Sequence, residues 1–185
     1  MFFRQVLTGL RLLLVLTVLL GVGYPLVVTG VGQLAFPHQA NGSQLATGHG
    51  SSLIGQEFKG DEWFASRPSA NDYDAEASGG SNAGPSDPDL VATIAERRAA
   101  VAQRDGVDPA AVPPDAMTAS ASGLDPFISP AYAALQEARV ARVRGLDPTK
   151  VAALVAESTS GRALGFLGEP RVNVVLLNAA LAAQA

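Results

Sequence analysis

The sequence predicts an α+β protein: one N-terminal transmembrane helix followed by a single domain with several helices and a few short strands. Three observations carry this. Residues 12–56 contain no Asp, Glu, Lys or Arg. Further on, three of the prolines that follow Asp or Ser, Pro88, Pro130 and Pro148, are each followed by apolar residues at helical spacing. Between these helices lie long tracts of Ser, Pro, Gly, Asn and Asp that no regular element tolerates.

Residues 12–31 are mostly Leu, Val, Gly and Thr, and a helix of that length, at ~1.5 Å per residue, covers the ~30 Å core of a bilayer. Gly21-Val22-Gly23 imitates a signal-peptide cleavage site, but Pro25 and the renewed apolar run Leu26-Val27-Val28 fit cleavage poorly, so the segment reads as a retained anchor. Arg4 and Arg11 lie on its N-terminal flank and no basic residue follows until Lys59. The expected organisation is therefore a cytoplasmic stretch at 1–11, a transmembrane helix at 12–31 and an extracytoplasmic domain at 32–185. Gly21, Gly23 and Pro25 fall inside the apolar stretch, where they bend a helix or admit a partner helix. Beyond the anchor there are 11 basic against 17 acidic residues, a balance that argues against nucleic acid as a partner.

Residues 36–60 read as an extended or turn-rich entry, broken by Phe36-Pro37, Asn41-Gly42 and further glycines. Ser52-Leu53-Ile54 and Glu62-Trp63-Phe64 are the candidate strand or core pieces that follow. In residues 66–89, 17 of 24 are Ser, Pro, Asn, Asp or Gly, which predicts loop. Asp87-Pro88 then starts a helix running to Arg104, with Asp105-Gly106 as its stop. Ser129-Pro130 starts a second that ends at Gly145, and Asp147-Pro148 a third. Residues 108–129, rich in proline and small side chains, are expected to be loop, and 171–183 a buried helix too short to span a membrane.

Chemistry finds little to work with. The chain has no cysteine and two histidines, His38 and His49, which removes thiolate sites and most zinc and triad chemistry. Neither histidine is spaced with Asp61 or Glu62 in a ligand pattern, so no metal site is expected. The run Gly79-Gly80-Ser81-Asn82-Ala83-Gly84-Pro85-Ser86 imitates a phosphate loop but carries proline where lysine is needed. Ser120, Ser122 and Asp125 lack a nucleophile elbow and a nearby base, and read as turn-forming residues. No catalytic residue is assigned. Gln136 and Arg139, at i and i+3 with Arg142 and Arg144 beyond, form a face suited to an anion or an acidic surface, although an ordinary solvated face accounts for it better.

The motifs taken together resemble the C subunit of the bacterial Kdp potassium-transporting ATPase, the KdpC family. The resemblance rests on Tyr24-Pro25-Leu26, Phe36-Pro37, Ala40-Asn41-Gly42-Ser43, Ile54-Gly55-Gln56, Phe64 with Arg67-Pro68-Ser69, Ser78-Gly79-Gly80-Ser81-Asn82, Thr118-Ala119-Ser120 with Ser122-Gly123-Leu124-Asp125, Gln136 with Arg139-Val140-Ala141, and Val172-Asn173-Val174 with Leu177-Asn178. It implies a noncatalytic, single-pass accessory subunit of the bacterial cell membrane. Its partners would be a channel-like subunit, a P-type ATPase subunit that hydrolyses ATP, a small single-span subunit and the surrounding lipid. Potassium would be the transported ion, with no cofactor held firmly. The resemblance further implies stabilisation of the assembly and a chaperone role that raises the ATPase subunit's affinity for ATP, with nucleotide contact at Gln136 and Arg139. That role conflicts with the flanking charges, which place Gln136 outside and favour an effect on potassium entry. A stand-alone anchored or secreted binding protein is the alternative.

Overall fold

The computed structural model describes residues 2–46 and 50–184, so His49 lies outside the described residues. The chain forms two compact units, Met1–Gln44 and Leu45–Ala185.

In the first unit, α1 (Phe2–Leu16), a π-helical stretch (Thr17–Gly23) and α2 (Tyr24–Ala35) make one continuous helix of 34 residues. It extends beyond the 12–31 span at both ends and, at ~1.5 Å per residue, exceeds the thickness of a bilayer core. Its long apolar side chains are exposed throughout, Leu13 at 62% and Val27 at 65% for example, and its length and composition make it a candidate membrane span. The π stretch has a local cause. Pro25 has no N–H to give to the carbonyl four residues back, and its ring crowds that carbonyl. The preceding turn widens in response, and the Tyr24 N–H reaches the carbonyl of Leu19, five residues away. One further helical turn, α3 (Pro37–Ala40), lies in the entry expected to be turn-rich.

The second unit is α+β, as the sequence predicts. Its helices are α4 (Pro88–Asp105), α5 (Pro114–Met117), α6 (Pro130–Arg144), α7 (Pro148–Glu157) and α8 (Val174–Ala182). Its strands are β1 (Phe127–Ile128), β2 (Thr159–Ser160) and β3 (Arg171–Asn173), in the antiparallel order β1-β3-β2. Phe127 pairs with Asn173 and Ile128 with Val172, while on the other edge Thr159 pairs with Val172. The three expected helix starts are in place: the side chains of Asp87, Ser129 and Asp147 accept from the backbone N–H of Asp89, Tyr132 and Thr149 at 2.9, 3.0 and 2.8 Å. At the other ends, Gly106 and Gly145 take left-handed φ of 69° and 64°, which closes α4 and α6 without a Cβ penalty.

Three expectations need correction. Residues 108–129 are not all loop: Asp108-Pro109 repeats the capping device on a 3₁₀ turn (Pro109–Ala111), and α5 and β1 follow. Residues 171–183 do not begin as helix, because β3 comes first and Asn173 then caps α8 by accepting from the Leu176 N–H at 3.0 Å. Of the two candidate core pieces only one is core. Phe64 is fully buried, whereas Leu53 and Ile54 are exposed and neither piece forms a strand.

The core collects Phe64, Ile128, Tyr132, Val140, Val151, Val172, Leu177 and Leu181 from β1, β3, α6, α7, α8 and the loop before α4. The long loops around residues 66–86 and 118–126 hold each other through the backbone. Ser120 N–H donates to Pro68 O at 3.0 Å and Gly79 N–H to Ser122 O at 2.9 Å. Gly55 N–H donates to Leu124 O at 2.7 Å, an approach so close that a Cβ on Gly55 would lie 2.6 Å from Asp125 O. The serines expected to form turns do so: Ser122 Oγ accepts from Leu124 N–H at 3.1 Å and lies 3.2 Å from Ser120 Oγ.

Candidate functional site

Tyr132, Gln136 and Arg139 follow one another on α6 at i, i+4 and i+7, the spacing of a core-facing stripe. With Ala133 and Val140 they face inward, and Gln136 and Arg139 are 0% and 1% exposed. The reading of Gln136 and Arg139 as a solvated face is therefore wrong, and Arg142 does not extend their face, being exposed. Arg144 stacks its guanidinium over the Trp63 ring, 4.9 Å from the centroid.

These groups are buried because their polar atoms find partners in Asp105, in one another, in the Tyr132 carbonyl and in the backbone of the segment at 61–65, which has no regular structure of its own. The Arg139 guanidinium donates through Nε to Asp105 Oδ1 at 2.6 Å, through Nη1 to Trp63 O at 3.0 Å and to Asp61 O, and through Nη2 to Gln136 Oε1 at 2.9 Å. Gln136 Oε1 also accepts from the Ala65 N–H at 2.8 Å, and its Nε2 donates to Ala65 O and to Tyr132 O, both at 3.3 Å. From α8, Asn178 treats the preceding residue alike. Its Oδ1 accepts from the Phe64 N–H at 3.0 Å and its Nδ2 donates to Phe64 O at 2.8 Å. Two side-chain amides, from two helices, thus satisfy two successive residues as a pair of flanking strands would. Phe64, held between them, fills the core.

Asp105 supplies the balancing charge. Its side chain is fully buried, with Arg104 donating to Oδ2 through Nε at 3.2 Å and Nη2 at 3.0 Å opposite the Arg139 bond. Arg104 Nη2 also donates to Tyr132 Oη at 3.2 Å. Burial pushes the Tyr132 phenol above its ordinary value, against the nearby Arg104 charge that pulls it down. In the sequence Asp105 reads only as a helix stop. A signal was present nonetheless: a carboxylate in the last turn of a helix opposes the macrodipole, so it needs a compensating partner. Asn178 carries no such signal, since nothing local marks an amide in an apolar helix as a clamp.

The other candidates belong to other elements of the chain. Gly21 and Gly23 fall in the π stretch and Pro25 at the start of α2, all three exposed. A groove lined only by Leu14, Val15, Val18 and Leu19 lies one to two turns before Gly21. His38 is exposed on α3. Among the described residues, no group of three His, Asp or Glu side chains converges. An open cleft of about 610 Å³ beside β1 is lined by Arg67, Asp115, Asp125, Phe127, Glu169 and Arg171, among others. Its charges serve the fold: Arg67 faces Asp125 at 3.5 Å, Asp115 accepts from the backbone N–H and Oγ of Ser129, and Arg171 covers the Phe127 ring.

The arrangement holds a fold together and assembles no nucleophile, base and anion hole among the described residues. Comparison with known proteins agrees with the motif resemblance. A family model described as "KdpC: K+-transporting ATPase, c chain" matches residues 6–183. Proteins named potassium-transporting ATPase KdpC subunit are similar over nearly their whole length. The one from Kineococcus radiotolerans is 58% identical, covering 96% of this chain and 93% of its own. That from Variovorax paradoxus is 53% identical (96% and 95% covered), and that from Beijerinckia indica 50% (93% and 90%). With a family model spanning almost every residue and relatives 50% to 58% identical, the chain belongs to the KdpC family, the C subunits of the K+-transporting ATPase.

Proposed function

We propose that this subunit is noncatalytic and works from outside the membrane, holding the pump's other subunits together and acting on potassium at its point of entry. The observation that carries this is the charge pattern around the 34-residue helix Phe2–Ala35. Arg4 and Arg11 precede its most apolar part, and the next basic residue is Lys59, so insertion energetics hold the N-terminus in the cytoplasm and send the acidic Leu45–Ala185 unit across. Gly21, Gly23 and the widened turn before Pro25 give a helix of the pump, in the channel-like, ATPase or small single-span subunit, a place to approach closely. Potassium coordination and ATP hydrolysis then belong to other chains.

A chaperone role that raises affinity for ATP requires Gln136 and Arg139 to reach a nucleotide. Both side chains are spent inside the fold, on Asp105 and on the backbone of residues 61–65. Releasing them would leave Asp105 and the Phe64 region uncompensated, and the flanking charges put them on the side away from cytoplasmic ATP. The burial of this pair therefore argues against nucleotide contact, and the flanking charges alone support the external reading.

Protease added to intact spheroplasts tests the topology. Digestion of the Leu45–Ala185 unit, with the N-terminus protected, is the expected result. A domain that is cut only after lysis would overturn the proposal. In the purified pump, Gln136→Ala should change ATP dependence only to the extent that it unfolds this subunit. A raised KM for ATP in a variant whose subunit melts normally would restore the nucleotide contact.

A further inference from the structure

The first three turns of the long helix differ from the rest of it. Arg4, Thr8 and Arg11 fall on one stripe at i, i+4 and i+7 with Gln5 beside them, while Phe2, Phe3, Val6, Leu7 and Leu10 fill the opposite side. From residue 12 to the helix end at Ala35 there is no charge. That part is ~36 Å long and covers the ~30 Å bilayer core at a modest tilt, so residues 2–11 extend ~15 Å through the headgroup layer. Both arginines are exposed, and among the described residues neither guanidinium has an ion-pair or hydrogen-bond partner. The Thr8 hydroxyl donates to the Arg4 carbonyl at 2.9 Å. No Asp or Glu occurs before Glu57, so the stripe is positively charged with no acidic residue near it in sequence. Orientation during insertion depends on how many basic residues flank a span, not on which face of the helix bears them. The gathering of both arginines on one face therefore needs another reason.

We propose that this stripe binds the phosphate of an anionic phospholipid in the leaflet at its N-terminal end; the proposal rests on the reading of Phe2–Ala35 as a retained membrane span. Guanidinium chemistry selects the ligand, because its planar fork of donors matches phosphate oxygens in pairs. Seven residues separate Arg4 from Arg11, or ~10.5 Å along the axis, so two long side chains on one face reach the same headgroup or adjacent ones. Lipid rather than protein is the occupant because both sides of the same turns need cover. A tilted helix at a bilayer surface meets acyl chains with Phe3, Leu7 and Leu10 and phosphate with Arg4 and Arg11, all at one depth. An acidic protein loop answers the arginines only and leaves the apolar side in water.

Native mass spectrometry of the full chain in mild detergent, titrated with phosphatidylglycerol and separately with zwitterionic phosphatidylcholine, tests this. The parent should retain phosphatidylglycerol in preference, and Arg4→Gln with Arg11→Gln should weaken that binding roughly tenfold or more, at about fivefold for each arginine. Arg4→Lys with Arg11→Lys keeps the charge and should retain most of the binding. Arg142→Gln removes an exposed arginine of the domain and, as the control, should change nothing. Equal retention by the parent and the glutamine pair overturns the proposal. So does displacement of the lipid by millimolar inorganic phosphate, which would make a soluble anion the ligand. In the assembled pump, Thr8→benzoylphenylalanine should label lipid, and label confined to another subunit overturns the proposal in favour of a protein occupant. Detergent removes orientation from the titration, so the glutamine pair cannot act by reversing insertion. A parent chain that stays in solution without detergent would overturn the span reading instead.

Discussion

Around residues 61–65 the domain buries Asp105, Gln136, Arg139 and Asn178, whereas at 161–170 it exposes Leu164, Phe166 and Leu167. Both regions depart from the usual distribution of polar and apolar groups, but for different reasons. In the first, a stretch without secondary structure crosses the core and needs partners for its backbone, and the side chains of α6 and α8 provide them. In the second, a hairpin, the backbone is self-sufficient, Ala163 and Leu167 bonding each other in both directions at 2.9 Å, and the side chains have no internal use. Polar groups inside therefore report on how this fold is held, whereas the exposed apolar tip takes no part in holding it.

The largest expected effect comes from the charge pair. Asp105→Ala leaves the Arg139 guanidinium buried without its counter-ion, at a cost of about 3–5 kcal/mol. Urea unfolding of the full chain in mild detergent measures it, with Trp63, the one tryptophan, as the fluorophore beside the clamp. The double variant Asp105→Leu with Arg139→Met should recover part of the loss, since removing both charges removes the desolvation problem with them. A double variant no better than Asp105→Ala would mean that the bonds from Arg139 to Asp61 O and Trp63 O dominate over the ion pair.

Next come the amides. Gln136→Ala strands the Ala65 N–H, and Asn178→Ala the Phe64 N–H and carbonyl, each at about 1–3 kcal/mol. Gln136→Ala should be the costlier, because each side chain serves both backbone groups of one residue but Gln136 also accepts from the buried Arg139 Nη2. An unchanged unfolding midpoint in Gln136→Ala would show that its hydrogen bonds are replaceable by water, and would weaken the contrast with the exposed hairpin.

Helices α4, α6 and α7 are legible in the sequence because each is announced locally by an N-cap acceptor and a proline with its φ already set, and α4 and α6 also by a glycine where φ turns positive. The clamp was not, because its parts are 71 and 114 residues apart from their partners in sequence. Gln136 and Arg139 were singled out as neighbours on one helix, which is correct, and placed in solvent, which is not. Charge makes burial the unexpected choice, and only the long-range contact with residues 61–65 reverses it. The strands escaped notice for another reason: two or three residues each, they are too short to display a period of two.

Gly145 gives a smaller effect that bears on the clamp's support. At φ 64° it ends α6, three turns after Tyr132, and Gly145→Ala should cost about 1 kcal/mol through the left-handed penalty. If the clamp stiffens α6 as a whole, the loss will be the same when measured by Trp63 fluorescence and by helical circular dichroism. A circular dichroism change without a fluorescence change would confine the damage to the helix end.

The smallest effect compares a hydrogen-bonded carboxylate outside with the one inside. Asp147 caps α7 fully exposed, and its bonds from the hydroxyl and N–H of Thr149 hold the carboxyl below its ordinary 3.8. Because the folded value lies below the unfolded one, the contribution is complete above pH 3.8 and disappears as the pH falls through the folded value. Asp147→Asn keeps an acceptor but removes the titration, so parent and variant should converge in stability as the pH is lowered through that range. Water already solvates this carboxylate in the unfolded chain and still reaches it in the folded one, so the difference is small. Asp105→Asn has no such refuge: it lies at 0% exposure between two guanidinium groups, and its loss should far exceed that of Asp147→Asn at neutral pH. Equal losses at the two positions would mean that water enters the interior around Arg139, and the clamp would then be a surface feature after all.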